Sequence, residues 1–389
     1  MLQKPIRALH VYKFYGPVRG GGIAAMESVI EGLNSSTEST ALVAAEKFGW
    51  GRVERIKNAR VRRVFSFGCL YSTPIAPTIP IWFANEIRHA DIVHIHLPFP
   101  IADLAVNLWR PRTPIVLHWH SDIVQQSKMK RYLKPMLRGT LKLADRIIVG
   151  SPRCLDSSEE LQPFRDKCEI IPYSVNSNSW SELAPGEVAK ILELKARHPR
   201  MLLFVGRLVA YKGLPVLIRA MRDLDAELVV AGQGPMLPQL ERLAKELGIH
   251  NKIHFVGEIS NEQLKTYYHA CYVFVLPSIW RNETFGIVQL EAMACQKPIV
   301  NTNLETGVPW VARHEREGIT VPPNDVQALS NAIQYLIENP AKAAAYGRAG
   351  ADRVHKVFDR EKMSEQVHLL YTQLLEQKPG SLVFQGERK

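Results

Sequence analysis

Apolar runs of strand length alternate with helical patterns along this chain, and they do so in two successive sets. The first set of runs lies at residues 6–11, 40–44, 91–95, 114–119, 146–149 and 169–172, with helical patterns at 22–33 and 130–143 between them. Short apolar runs separated by amphipathic segments predict parallel strands buried under helices. The second set has runs at 201–205, 227–231, 252–256, 272–276, 298–301 and 318–321, and helical patterns at 214–224, 235–247, 261–269 and 285–294. Residues 176–185 between the sets are polar and turn-rich and read as a linker. The pattern predicts an α/β chain of two Rossmann-like domains, 1–175 and 176–360. Helical stretches at 326–337 and 342–358 complete the second domain, and a last one over about 361–377 can pack back on the first. A length of 389 residues agrees, because one core stops growing at roughly 250–300 residues. Doubly wound sheets bind ligands outside their strand ends, so a cleft between the two is expected.

Composition removes several classes. A hydrophobic fraction of 46% is too high for a disordered chain. No run approaches about 18 apolar residues, which argues against a spanning helix. Residues 1–7 lead straight into a strand pattern without the apolar core of a secretory signal. Cys69, Cys154, Cys168, Cys271 and Cys295 form no CxxC pair, so neither a disulfide framework nor a cysteine zinc site is expected, and a cytoplasmic location is. Charge is uneven: residues 1–176 hold 24 Lys+Arg against 15 Asp+Glu. One basic cluster is Arg52, Arg55, Lys57, Arg60, Arg62 and Arg63. A second is Lys128, Lys130, Arg131, Lys134, Arg138 and Lys142, interleaved with apolar residues. That interleaving suits either a helix on an anionic membrane surface or an ordinary surface helix. No nucleic-acid motif accompanies it, and nucleic acid is not an expected partner.

Chemistry concentrates at strand ends of the second domain. Gly206-Arg207-Leu208 with Lys212-Gly213 follows its first strand, Gly232-Gln233-Gly234 its second, and Pro277-Ser278 leads from its fourth towards Glu283 and Glu291. Arg207 and Lys212 offer donors suited to a diphosphate. Phe285-Gly286-Ile287 opens a helix whose N-terminal N–H groups suit an anion. Glu283 and Glu291, eight apart, can face one ligand if the first lies in the loop and the second inside the helix, and carboxylates there suit sugar and ribose hydroxyls. Taken singly, each reads as a capping or solvated carboxylate; with Arg207 and Lys212 at these spacings the ligand reading prevails.

GRLVAYKGL (206–214), AGQGP (231–235), FVGEIS (255–260), PSIWRNETFGIVQLEAMACQKPIV (277–300) and VPPND (321–325) resemble a retaining glycosyltransferase of family 4 with the GT-B fold. The resemblance implies that Arg207 and Lys212 hold the donor diphosphate. Glu283 would bind the transferred sugar beside the backbone of Phe285, Gly286 and Ile287, and Glu291 the nucleotide ribose. Glu258 and Ile259 would frame the base. In the first domain, Gly20-Gly21-Gly22 follows the first strand and is weak evidence alone. The resemblance implies that Gly21 and Gly22 close over donor phosphates, that His120 contacts the transferred sugar, and that Asp122 orients His120 or binds acceptor. His94 and His96 invite a metal reading but lack a dependable third ligand, and Asp223-Leu-Asp225 is explained by turn capping. No metal or other cofactor is expected beyond the nucleotide-sugar co-substrate.

The blocks HVYKFYGP, HLPFPIADL, LHWHSDIV and WRNETFGIVQLE are similar to bacterial mannosyl- and rhamnosyltransferases of O-antigen synthesis. That similarity implies a GDP-sugar donor, a lipid-linked saccharide acceptor and a place on the cytoplasmic face of the inner membrane. Rival readings are a transferase using a UDP-sugar, another GT-B activity such as an epimerase or phosphorylase, and a non-catalytic sugar-binding assembly protein.

Overall fold

The computed structural model describes residues 4–16, 20–33, 37–45, 48–70, 73–122 and 127–377, the side chains of 127–132 excepted. The chain divides into two units, Met1–Tyr173 with Arg360–Lys389, and Ser174–Asp359. In the first, the strands in chain order are β1 (Ile6–Val11), β2 (Thr37–Ala44), β3 (Arg52–Ile56), β4 (Ala59–Val64), the small β5 (Cys69–Leu70) and β6 (Thr73–Pro74), β7 (Ile92–Leu97), β8 (Ile115–Trp119), β9 (Arg146–Val149) and β10 (Cys168–Ile170). Its main sheet runs β10-β9-β8-β7-β1-β2-β4-β3. All neighbours are parallel except β3 and β4. Central strands covered on both faces need apolar residues at nearly every position, and Ile92–Leu97 and Ile115–Trp119 are buried throughout.

Residues 52–63, expected only as a basic cluster, form the β3–β4 hairpin. Its alternating Arg and aliphatic residues have the two-residue period of a strand. Two carboxylates each hold two of its arginines. Glu86 takes Arg60 at 2.8 Å and Arg62 at 2.5 Å, and Glu54 takes Arg52 at 3.0 Å and also Arg63. Arg63 is buried and donates to Tyr15 O at 2.9 Å and to Gly16 O. The second basic cluster lies on the helix Ser127–Leu143, where Leu137 and Leu141 are buried and Lys134, Arg138 and Lys142 are exposed. The side chains of Lys128, Lys130 and Arg131 lie outside the described residues.

The helix Arg360–Gln377 belongs to the first unit. Its Met363, Val367, Leu370, Tyr371 and Leu374 share a cluster with Ala8, Ile92, Val116 and Ile148 of the sheet. Helical spacing puts these five on one stripe. A Cβ at Gly32 would stand 1.7 Å from Ser364 Oγ, so the crossing with the helix Gly21–Gly32 depends on that hydrogen.

The second unit holds β11 (Met201–Val205), β12 (Glu227–Ala231), β13 (Ile253–Gly257), β14 (Val273–Leu276), β15 (Ile299–Thr302) and β16 (Gly318–Val321). They form one parallel sheet in the order β13-β12-β11-β14-β15-β16. The order reverses between β11 and β14, which makes their C-terminal ends the topological switch point. Residues 176–185 are not a bare linker. They form the short helix Ser177–Ser181 and lead into the helix Pro185–Arg197, and Trp180 stands edge-on to Tyr268 with ring centroids 5.5 Å apart. Among the described residues no helix is long and apolar enough to cross a membrane.

Candidate active site

The second unit gathers its candidates in the loops after β11 and β14. After β11 the chain makes the tight turn Ala210–Lys212 and passes through Gly213 at φ 69°. A Cβ there would meet Pro277 O at 1.9 Å, so glycine is what lets the two loops touch. Ile279 N donates to Tyr211 O at 2.8 Å and ties them further. Lys212 Nζ then lies 2.5 Å from Glu283 Oε2, which also accepts from Ser278 Oγ at 3.1 Å. Both ionic side chains are about 10% exposed. Burial works against the Lys212 charge, but Glu283 outweighs it and holds the ammonium above the ordinary lysine range. A buried carboxylate bonded by an ammonium and a hydroxyl is locked in orientation, with a second oxygen to offer a ligand. Arg207, in the same loop as Lys212, is exposed.

Gly286 begins the helix Ile287–Ala294 at φ 73°. No side chain caps that helix start and no acidic residue lies in its first turn. Phe285 is buried and packs on Trp310 and Phe358, so its ring is core and only its backbone is placed to serve a ligand. Glu291 sits in the second turn and accepts from the Tyr268 hydroxyl at 2.7 Å. Burial pushes its carboxyl up to about 7, against the pull of that hydrogen bond. Glu258 and Ile259 follow β13, one exposed and the other half-buried.

The first unit places its candidates at the C-terminal ends of β1, β7 and β8. The helix Gly21–Gly32 starts without a capping side chain. A side chain at Gly22 would strike the Tyr12 hydroxyl at 2.3 Å, whereas one at Gly21 would meet nothing within 4 Å. His120 follows β8 and is 7% exposed. Its Nε2 pairs with His96 Nδ1 at 3.0 Å and its Nδ1 with Tyr173 Oη at 2.8 Å. Both ring nitrogens are thus held, one by His96 and the other by Tyr173. Asp122 accepts from Trp119 Nε1 at 3.2 Å and Ser158 Oγ at 2.6 Å.

His120 ends a larger array. His10, His94, His96, His118 and His120 share one sheet face, all buried. His94 Nδ1 bonds Tyr371 Oη of the last helix at 2.6 Å. Burial first, and mutual repulsion for most, depress all five: His10 and His118 to about 3, and His94, His96 and His120 well below the usual range. His10 supplies the third imidazole that the sequence had not offered to His94 and His96, with ligand atoms of the three within 4.8 Å of one another. The His94 and His96 rings, however, stack at 4.6 Å and 5°. Lone pairs of parallel rings leave in parallel planes and do not meet at an ion about 2.0–2.1 Å away. The array fits neutral imidazoles, four of them hydrogen-bonded, better than a metal centre.

Nothing in the sequence singled out Tyr268 or Tyr173, and His96 stood out only beside His94 as a metal candidate, not as a partner of His120. Each acts by touching a candidate from another element, and no local motif signals that. Ser278 lies in the Pro277-Ser278 step after β14, where its hydroxyl meets Glu283.

A family model described as "Glycosyl transferases group 1" matches residues 191–353, and one described as "Glycosyltransferase Family 4" matches residues 40–179. The chain is 31% identical to D-rhamnosyltransferase WbpZ of Pseudomonas aeruginosa, over 98% of this chain and 100% of that protein. It is 30% identical to O-antigen chain mannosyltransferase C of Escherichia coli, over 96% and 100%. Among solved structures, sucrose-phosphate synthase from Thermosynechococcus elongatus superposes with a TM-score of 0.80 at 24% identity, over 96% and 100% of the two chains. Anabaena HepE in complex with UDP does so at 0.75 and 18%, over 95% and 100%. These neighbours carry the GT-B fold.

Proposed function

The chain belongs to the group 1 and family 4 glycosyltransferases, and from that premise we propose that it transfers mannose or D-rhamnose from a GDP-sugar to a polyprenyl-diphosphate-linked saccharide of a bacterial O-antigen. The observation that carries the donor half is the Lys212–Glu283–Ser278 group at the switch point of the second sheet. In this reading Lys212 and Arg207 neutralise the departing diphosphate. Glu283 accepts from hydroxyls of the transferred sugar, and the N-terminal backbone of Phe285, Gly286 and Ile287 faces the same ligand. Glu291 takes the ribose, Glu258 and Ile259 frame the base, and Gly21 and Gly22 approach the phosphates. His120 contacts the sugar and Asp122 the acceptor.

The proposed step retains the anomeric configuration. The bond between C1 and the phosphate oxygen breaks with its electron pair going to the diphosphate. The acceptor oxygen bonds C1 from the same face, and its proton passes to the departing phosphate oxygen. Positioning and charge stabilisation then supply the rate, with no enzymic nucleophile and no metal in the scheme.

The acceptor half of the proposal places the first unit on an anionic membrane surface, at the cytoplasmic face of the inner membrane. Support comes from its exposed Phe48, Trp50, Phe67, Ile81 and Trp109, with Arg52, Arg55, Lys134 and Arg138 exposed or half-buried in the same unit. Aromatic residues beside basic ones suit a lipid interface.

Calorimetric titration with GDP, UDP and ADP in a chelator tests the donor. Selective GDP binding that is lost in Glu291→Ala supports the proposal. Preference for UDP replaces the GDP-sugar with a UDP-sugar, and binding without turnover towards any lipid-linked saccharide favours a non-catalytic sugar-binding protein. Flotation with phosphatidylglycerol vesicles tests the surface: Trp50→Ser with Phe67→Ser should reduce binding, and unchanged binding refutes it.

A further inference from the structure

At the opposite, N-terminal edge of the second unit's sheet, three side chains from three elements converge. His198 ends the helix Pro185–Arg197, Glu227 opens β12, and His254 lies in the neighbouring β13. His198 Nδ1 stands 2.7 Å and His254 Nε2 2.5 Å from the same oxygen, Glu227 Oε2. The ligand atoms of the three lie within 4.8 Å of one another. The side chains are 16%, 34% and 36% exposed, so an ion from solvent reaches them and water can complete its shell.

We propose that His198, Glu227 and His254 bind a zinc-class divalent cation. The two rings are tilted by 52° with centroids 5.1 Å apart, so their lone pairs can meet at one point, unlike those of the parallel His94 and His96. A tetrahedral ion about 2.0–2.2 Å from each ligand asks the three atoms to stand about 3.3 Å apart. Opening the observed contacts by less than about 1 Å is within reach of partly exposed side chains. Each imidazole now directs a ring N–H at the carboxylate; on binding, that proton moves to the other ring nitrogen and the vacated lone pair takes the ion. Two imidazoles and one carboxylate select zinc, nickel or copper over magnesium and calcium, which prefer all-oxygen shells. The ion would strap the end of the helix Pro185–Arg197 to the sheet, apart from the Lys212 group at the other end of the strands.

The untagged full-length protein, stripped with a chelator, is titrated with zinc chloride and separately with magnesium chloride, and cobalt(II) reports geometry by its visible absorption. The proposal expects one equivalent of zinc per chain, a tetrahedral cobalt spectrum, no magnesium binding, and a thermal midpoint that rises with zinc. Glu227→Gln and His254→Asn should each weaken zinc by more than about 100-fold, while exposed His89→Asn and buried His10→Gln leave it unchanged. An absent cobalt spectrum in the wild type overturns the proposal without relying on any variant. Zinc binding that survives Glu227→Gln and His254→Asn, or disappears in His10→Gln, overturns it as well.

Discussion

Lowering the pH from about 7.5 to about 5.5 should loosen the first unit from its histidine face. His10, His94, His96, His118 and His120 are buried and held neutral, each well below the ordinary imidazole range. His118 has no partner for either ring nitrogen, and His10 and His94 each have one unpartnered Nε2. The unfolded chain takes up protons near pH 6.5 while the folded chain does not, so the unfolded state binds more protons and stability falls as pH falls. This stabilisation is present above about pH 6.5 and is lost progressively below it, towards the folded values near 3. At about pH 5.5 each imidazole costs about 1.4 kcal/mol relative to pH 7.5, or about 7 kcal/mol for the five. That rivals the whole stability of an ordinary domain, about 5–15 kcal/mol. Carboxylates titrate mostly lower and do not dominate this window. Hydrogen exchange, corrected for its intrinsic pH dependence, should show protection of β7 and β8 collapsing across the interval while β11 and β14 of the second unit hold. His118→Phe removes one unpartnered ring and should flatten the dependence by about one proton. Protection of β7 and β8 that stays level from pH 7.5 to 5.5 would mean the rings are hydrated or already charged, and the argument fails.

The donor side offers four more tests. Lys212→Ala should lower kcat by about 100- to 1,000-fold if its ammonium stabilises the leaving diphosphate, with circular dichroism unchanged. Ser278→Ala, which removes one hydrogen bond to Glu283, should cost about 1 kcal/mol, roughly five-fold in donor affinity; equal effects of the two variants would refute the division of labour. Gly213→Ala forces a Cβ against Pro277 O at φ 69° and should lose about 1–3 kcal/mol in chemical denaturation; a wild-type midpoint would mean the loops are not in contact. Glu291 must be ionised to accept ribose hydroxyls, so GDP affinity should weaken as pH falls through about 7. Tyr268→Phe should move that midpoint upward, because the lost hydrogen bond favours the charged form; a profile unchanged by the substitution removes Tyr268 from the account.

Much of the site was legible because its chemistry is written at strand ends. Arg207, Lys212, Glu283 and Glu291 follow apolar runs whose C-terminal ends could be read from residues 201–205 and 272–276, and the structure brings Lys212 onto Glu283 as an ion pair. Less legible were groups acting across elements. Tyr268 reaches Glu291 from another helix, and His96 reaches His120 from another strand. The hairpin at 52–63 was obscured by its charge. Arg and aliphatic residues alternate there in the period of a strand, but the pairing of four arginines with Glu54 and Glu86 is a tertiary fact. Trp180 made residues 176–185 part of the second unit, although their composition resembled a linker.

The amino-acid pattern by itself determined two successive sets of buried strands with helices between them and the order of the polar loops, because burial on both faces of a strand and one stripe of a helix is a local, periodic demand. Which loops meet was decided only by the tertiary structure. Strand order places β14 beside β11 across 67 intervening residues, and the Gly213–Pro277 contact brings Lys212 to Glu283. Tertiary structure also decided the state of the five histidines. A histidine in a sequence is a group that titrates near neutrality; burial beneath the last helix, with no charge partner to repay desolvation, is what makes these neutral.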